Sequence, residues 1–125
     1  MPANATMTPV FVYGTLKQGG SNHRYLAGQH FLGMAQTVPG YRLFEVGGFP
    51  GMIPWSNDSH GVTGEVWSVS ASCLAELDLL EGIAEKLYRR EPVPLQPPFA
   101  KLRVETYLYE PSLEGRIEIG GTWRE

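Results

Sequence analysis

The sequence predicts an α+β fold in which one helix lies beside a curved sheet or a small barrel. Fifteen glycines and ten prolines are spread over the 125 residues, which favours short strands and turns over long helices. One segment is convincingly helical, whereas several short segments have the composition of strands. The strands are expected at Val10–Tyr13, Phe31–Val38, Tyr41–Val46, Val62–Val69, Tyr88–Val93 and Lys101–Tyr109.

The helix is expected over Ser72–Glu81, with Ser70 or Ser72 as its N-cap. Gly82 follows directly and is suited to end the helix, because glycine adopts the left-handed conformation without a steric penalty. A further helical turn is expected near Asn22–Leu26. One helix among five or six strands is typical of an α+β fold with a single core.

Length and composition predict one cytoplasmic domain. We expect residues 1–9 to form a flexible tail and residues 10–125 to form a single domain. A net charge of −3, without a dense cluster of lysine and arginine, argues against nucleic acid as a partner. The single cysteine, Cys73, excludes an internal disulfide, and we recognise neither a secretory signal nor a membrane-spanning run.

The stretch from Tyr13 to Leu16 places a glycine directly after a strand. One interpretation is a simple turn in which Gly14 ends the strand. The other is a nest of backbone N–H groups at Gly14, Thr15 and Leu16, which binds a carboxylate or carbonyl oxygen without a charged side chain. A nucleotide-binding P-loop is disfavoured because Gly20 stands where that motif needs its lysine.

The second candidate feature is Glu81 at the end of the helix. On a helical wheel it falls between Leu74 and Leu77, on the apolar face, where a carboxylate is costly unless it is bonded or used. It also meets the unfavourable end of the helix dipole. The alternative is that the apolar stripe has already left the core at this turn. Asp78, at the edge of the stripe, is interpreted as a solvated boundary residue.

Other common catalytic arrangements find no support in the sequence. No second carboxylate is comparably placed, so a glycosidase-like pair is not indicated. The three histidines, His23, His30 and His60, have no metal-ligand spacing, and no metal site is predicted. Cys73 lies in the apolar stripe and is interpreted as a core residue.

Two motifs taken together resemble the γ-glutamylcyclotransferase superfamily. The first has the form Y-G-[ST]-L and is here Tyr13-Gly14-Thr15-Leu16. The second has the form L-D-x-x-E-G followed by Y-x-R, here Leu77-Asp78-Leu79-Leu80-Glu81-Gly82 and then Tyr88-Arg89-Arg90. The segment after the first motif is more similar to the short branch, which includes γ-glutamylamine cyclotransferase, than to the glutathione-specific enzymes.

The resemblance implies a small mixed β-barrel with one main helix, and the cyclisation of a γ-glutamyl compound to 5-oxoproline with release of an amine. It implies Glu81 as the general acid/base, Tyr13 to Leu16 as the substrate-binding loop, and Tyr88 as a neighbour of the site. No cofactor is expected, and a homodimer is left open. Two alternatives remain: a non-catalytic protein that binds a small ligand on the same fold, and a related amide hydrolase.

Overall fold

A computed structural model describes residues 6–124 and has an α+β fold, as predicted. It contains one α-helix, α1 (Ala71–Leu80), and a short 3-10 helix at His23–Leu26. The strands are β1 (Met7–Val12), β2 (His30–Gln36), β3 (Tyr41–Glu45), β4 (Pro50–Pro54), β5 (Thr63–Ser70), β6 (Tyr88–Pro92), β7 (Glu105–Tyr109) and β8 (Ile117–Gly120).

The strands form two sheets. The larger has the order β2-β5-β1-β7-β6, and the smaller has the order β4-β3-β8. β1 pairs with β7 in parallel and with β5 antiparallel, so the larger sheet is mixed, as predicted. In residues 6–124 the two sheets are separate ladders rather than one closed barrel. The small sheet packs its β4 against β7, where Gly51 allows close approach to the Tyr109 side chain.

The start of β1 lies within the segment expected to be a flexible tail. Met7 to Pro9 belong to β1, and Met7 pairs with Ser70 of β5. β7 joins β1 only at Val10, so Pro9 lies where the strand has a single neighbour, and there the missing N–H of proline is tolerated. Residues 1–5 lie outside the described part of the chain, and the remaining division into tail and domain stays a prediction.

Two strands were not predicted. The segment Phe49-Pro50-Gly51 has the composition of a turn, but Pro50 and Gly51 begin β4. The short β8 at the edge of the small sheet has no clear strand pattern. Conversely, the expected strand Lys101–Tyr109 begins only at Glu105, because a turn closed by the bond from Leu102 N–H to Phe99 O precedes it.

The core positions α1 against the sheet and brings its C-terminal end to β6 and β7. Cys73 and Leu77 of α1 are buried in the same cluster as Val10 and Tyr107, which confirms Cys73 as a core residue. Ser70 is the N-cap, and its hydroxyl accepts a hydrogen bond from the Cys73 N–H at 3.2 Å. Within residues 6–124, no helix is long and apolar enough to cross a membrane.

Candidate active site

A cavity of about 270 Å³ lies where β1, α1, β6 and β7 meet. All six residues singled out from the sequence line it: Tyr13, Gly14, Thr15, Leu16, Glu81 and Tyr88. The two motifs, about 65 positions apart in the chain, are therefore neighbours in the fold. The structure brings the predicted carboxylate and the predicted loop to the same space.

The end of α1 fixes the position of Glu81. Glu81 is the C-cap residue, and its N–H bonds to Leu77 O at 2.9 Å. Gly82 follows with φ +67°, its N–H donating to Leu79 O, while the N–H of Ile83 reaches back to Asp78 O. This pair of bonds is a Schellman motif, which ends a helix with one defined backbone geometry. The Glu81 side chain therefore starts from a fixed point beside the cavity.

Burial raises the pKa of Glu81 from 4.5 to about 7. Among the hydrogen bonds of residues 6–124, none uses the Glu81 carboxyl, so no donor offsets the loss of hydration. The C-terminal end of the helix dipole acts in the same direction, because it disfavours a negative charge. A carboxyl with this pKa is able both to accept and to donate a proton near neutral pH.

Three tyrosines surround this carboxyl, and each donates its hydroxyl proton to another acceptor. Tyr13 donates to Tyr107 O at 2.6 Å, and Tyr88 donates to Pro50 O at 2.8 Å. Tyr107 donates to Asp78 Oδ1 at 2.7 Å. Burial raises the pKa of all three phenols, and the Glu81 carboxylate adds to the rise. The three phenols are therefore neutral near pH 7, and among the residues that line the cavity Glu81 is the one whose pKa lies near that pH.

Asp78 is held in a network, and its interpretation as a solvated boundary residue is wrong. Its carboxylate accepts from the Tyr107 hydroxyl and from Arg90 Nε and Nη2, at 3.1 and 3.2 Å. Arg90 also pairs with Glu105 on β7. The helical wheel places Asp78 correctly at the edge of the stripe, but it cannot show that β6 and β7 bring partners to that edge. The network ties the last turns of α1 to both strands.

The loop after β1 satisfies its carbonyl groups internally. Gly14 O accepts from the Lys17 N–H at 3.1 Å, and Thr15 O accepts from the Asn22 N–H at 2.9 Å. Leu16 O lies 2.9 Å from Nδ1 of His23. By contrast, no backbone hydrogen bond within residues 6–124 uses the N–H groups of Gly14, Thr15 or Leu16. The arrangement has the donors that the nest interpretation requires.

Gly20 allows this loop to fold tightly. A Cβ at Gly20 would lie 2.3 Å from Thr15 O, so any larger residue would force the loop open. Asn22 also donates its side-chain amide to the Thr15 hydroxyl at 3.0 Å. Gly20, at the position where the P-loop motif has its lysine, therefore serves close backbone approach.

Several residues that line the cavity were not predicted as part of the site. They are Phe11, Val12, Gly48, Leu87 and Tyr107; of the other lining residues, Leu80 is expected from the sequence in an apolar wall beside Glu81, and Ser21, Asn22, Phe49 and Pro50 on the rim of the pocket. In the alternating pattern of the expected strand Lys101–Tyr109, Tyr107 shares a face with Arg103 and Glu105, and this pattern alone does not predict that β7 is buried on both faces. Phe49 and Pro50 were part of a predicted turn. The one signal in the sequence is the pair of tyrosines, Tyr107 and Tyr109, on a face that also carries charged residues.

A family model described as gamma-glutamyl cyclotransferase, AIG2-like, matches residues 10–125. The chain belongs to the gamma-glutamylcyclotransferase family. A Vibrio cholerae protein whose name assigns it to the gamma-glutamylcyclotransferases is 38% identical to this cyclotransferase over 111 residues, covering 89% of this chain and 91% of that protein. The gamma-glutamylaminecyclotransferase of Bos taurus is 38% identical over 95 residues, covering 70% of this chain and 56% of the bovine protein.

Solved structures share the fold of this cyclotransferase. An AIG2-like protein of Mus musculus superposes with a TM-score of 0.72 and 29% identity, covering 82% of this chain and 76% of the mouse chain. The solution structure of YtfP from Escherichia coli gives a TM-score of 0.65 and 29% identity, covering 93% and 95%. The family predicted from the two motifs is confirmed, and the chain is an enzyme of the gamma-glutamylcyclotransferase type.

Proposed function

We propose that this cyclotransferase converts γ-glutamyl amines to 5-oxoproline and the free amine, with Glu81 as general acid/base. The observation that carries the proposal is the Glu81 carboxyl, with a pKa of about 7, in a cavity that the Gly14–Leu16 loop also lines. One group with such a pKa is suited to two opposite proton transfers in sequence.

Glu81 alone is sufficient for the proton transfers of the cyclisation. Glu81 takes a proton from the α-ammonium of the substrate, and the freed amine nitrogen attacks the γ-carbonyl carbon. The leaving nitrogen receives this proton from Glu81 as its bond to the carbon breaks. The Glu81 carboxylate then takes the second proton from the new ring nitrogen and passes it to the released amine, which leaves as an ammonium ion. Nucleophile and electrophile belong to one molecule, so the loop and the cavity need only hold the chain folded back.

The free N–H groups at Thr15 and Leu16 suit the α-carboxylate of the glutamyl half, or the negative charge that develops on the γ-oxygen. Tyr88 supports the opposite wall, where its ring packs at 71° against Tyr109. These donors recognise an anion without a charged side chain. The glutamyl end of the substrate is therefore the end that the site specifies.

The lining of the cavity favours an amine over a peptide as the leaving group. Among the lining residues, Glu81 is the one with an ionisable acidic or basic side chain other than tyrosine. A peptide such as glutathione would bring a second carboxylate, and the lining provides no cation for it. The name of the bovine relative, gamma-glutamylaminecyclotransferase, supports the same choice. The cytoplasmic location and the absence of a cofactor stay predictions. The homodimer stays an open question.

The test is a panel of γ-glutamyl amines, with 5-oxoproline measured as the product. We expect turnover by the wild type and at least about a 100-fold lower kcat for Glu81→Gln, which keeps the shape but cannot accept the proton. Glu76→Gln is the matched control, because Glu76 is an exposed carboxylate on the same helix. Near-normal kcat in Glu81→Gln would refute the assignment.

The same panel includes the α-linked isomer of the best substrate. Cyclisation requires the amine and the carbonyl to be separated as they are in the γ-linked compound, so the α-linked isomer should not react. Free glutamate as the product would favour the hydrolase alternative, and binding without turnover would favour the non-catalytic alternative.

A further inference from the structure

A second glutamate, Glu65, is buried under the loop and has no part in the chemistry described above. It lies on β5, opposite Val12 of β1, and its relative exposure is only 5%. A buried carboxylate is unfavourable unless its oxygens receive hydrogen bonds. The bonds that Glu65 makes therefore indicate what keeps it there.

Both oxygens of Glu65 face the loop. The backbone N–H of Gln18 donates to Oε1 at 3.0 Å and lies 3.3 Å from Oε2. The indole N–H of Trp67, two residues along β5 and on the same face of the sheet, donates to Oε1 at 3.0 Å. A carboxylate on a rigid central strand thus bonds to a main-chain group of the loop, two residues beyond Leu16.

Trp67 gives β5 a second connection to the loop. Its ring meets the imidazole of His23 edge-on, with the centroids 5.3 Å apart. His23 Nδ1 in turn lies 2.9 Å from Leu16 O. Leu16 itself is buried in the same core cluster as Trp67. The loop is therefore fixed from β5 at two places, at Gln18 by Glu65 and at Leu16 by way of His23.

We propose that Glu65 is a positioning residue for the substrate-binding loop, which holds the N–H groups of Thr15 and Leu16 aimed into the cavity by anchoring the Gln18 N–H. The inference rests on the proposed function of that loop. Glu65 touches no substrate; it sets the direction of the donors that do. Loss of the anchor weakens the grip on the glutamyl half more than it slows proton transfer by Glu81, which belongs to a different element.

The test compares four variants with the wild type, on the best γ-glutamyl amine. Glu65→Ala should raise KM about tenfold or more and change kcat by less than about threefold. Glu65→Gln should restore KM to within about threefold, because one amide oxygen in the place of Oε1 still accepts from both Gln18 and Trp67. Glu65→Asp keeps the charge but is shorter by one methylene, so it should resemble the alanine variant.

Asp58→Ala is the matched control. Asp58 is also a buried carboxylate that accepts from backbone N–H groups, those of Gly40 and His60 at 3.0 and 3.1 Å among them, but it does not line the cavity. We expect it to lower the unfolding temperature and leave KM within about twofold. An unchanged KM in folded Glu65→Ala or Glu65→Asp, or an equal rise in Asp58→Ala, would overturn the proposal.

Amide hydrogen exchange does not depend on turnover, so it tests the positioning role of Glu65 separately from the proposed function. Amide hydrogen exchange at Asn22, whose N–H bonds to Thr15 O, should be faster by about tenfold in Glu65→Asp and near wild-type in Glu65→Gln. An unchanged exchange rate in Glu65→Asp would refute the proposal that Glu65 positions the loop. A wild-type protein that makes no 5-oxoproline would refute the proposed function. The exchange result would then still decide whether Glu65 positions the loop.

Discussion

At the scale of single residues, the Glu81 carboxyl shows how a site is built from an unfavourable placement. The side chain stands at the negative end of a helix, is partly buried, and has no hydrogen-bond donor among the described residues. Each of these conditions favours the protonated form. The folded protein therefore maintains a proton acceptor near neutral pH at the expense of its own stability.

The loss of stability caused by Glu81 is measurable. The pKa of Glu81 is about 7 in the folded state and near 4.5 when unfolded, so between these values the folded state binds a proton that the unfolded state does not. The free energy of unfolding should fall as the pH rises through this window and level off above it. Glu81→Gln lacks this dependence, and at pH 8 it should be more stable than the wild type by up to roughly 3 kcal/mol.

Urea denaturation of both proteins at pH 4 and pH 8 checks this expectation. The difference in unfolding free energy should be small at pH 4 and largest at pH 8. A constant difference across the range would mean that Glu81 titrates at its ordinary pKa in the folded protein.

The helical wheel places Glu81 beside the core-facing residues of α1 by a rule that concerns one element alone. The position of a residue on a helix face follows from spacing, and the face of α1 that contacts the core is buried as the spacing requires. Asp78 and Tyr107 were misjudged because their environment depends on a contact between elements distant in the chain. Local spacing contains no information on which strand will lie opposite.

At the scale of elements, α1 and the β6–β7 pair act together through the Asp78 network. Asp78→Ala removes the acceptor of both the Tyr107 hydroxyl and two Arg90 nitrogens, so the end of α1 loses its tie to the sheet. We expect kcat to fall about tenfold, since small misplacements of a catalytic group cost much rate, while KM stays within about twofold. Steady-state kinetics with the best γ-glutamyl amine measures both constants.

Glu76→Ala on the same helix serves as the control for this variant, because Glu76 is exposed. Arg90→Gln should reproduce the effect of Asp78→Ala on kcat. A rise in KM with unchanged kcat in either variant would show that the network supports substrate binding instead of the position of Glu81.

Element prediction succeeded where one signal dominated. β5 has a strongly strand-forming sequence, and α1 has a capping serine and a terminal glycine, so both lie within two residues of their expected bounds. β4 was missed because Pro50 and Gly51 are turn formers in isolation. Their place in a strand follows from the neighbouring sheet, since Gly51 leaves the space that Tyr109 occupies.

At the scale of the whole molecule, the contact of the two sheets forms one side of the cavity. Gly51 of β4 lies against Tyr109 of β7, and an added Cβ would be 2.8 Å from the Tyr109 Cβ. Gly51→Ala should therefore push the sheets apart and lower the free energy of unfolding by about 1–3 kcal/mol, the usual cost of overpacking. Chemical denaturation measures this loss.

Gly48→Ala is the control for that variant, because a Cβ at Gly48 meets nothing within 4 Å and carries only the strain of its φ of +92°. Its loss of stability should be about 1 kcal/mol. If Gly51→Ala were no less stable than Gly48→Ala, the close approach of the sheets at Tyr109 would be wrong.

The loop after β1 lines the cavity, and no backbone hydrogen bond within residues 6–124 uses its N–H groups at Thr15 and Leu16. Every residue type except proline has a main-chain N–H, so other substitutions at Thr15 or Leu16 change the shape of the loop but leave its donors in place. Directed evolution at Thr15 and Leu16 therefore has few changes in hydrogen bonding to select. New selectivity is more accessible at Phe49, Leu80 and Leu87, whose side chains line the same cavity and can be replaced by smaller or larger ones. If the proposed function holds, libraries aimed at those three positions should diversify the accepted amine, while the backbone donors proposed to bind the glutamyl half stay in place.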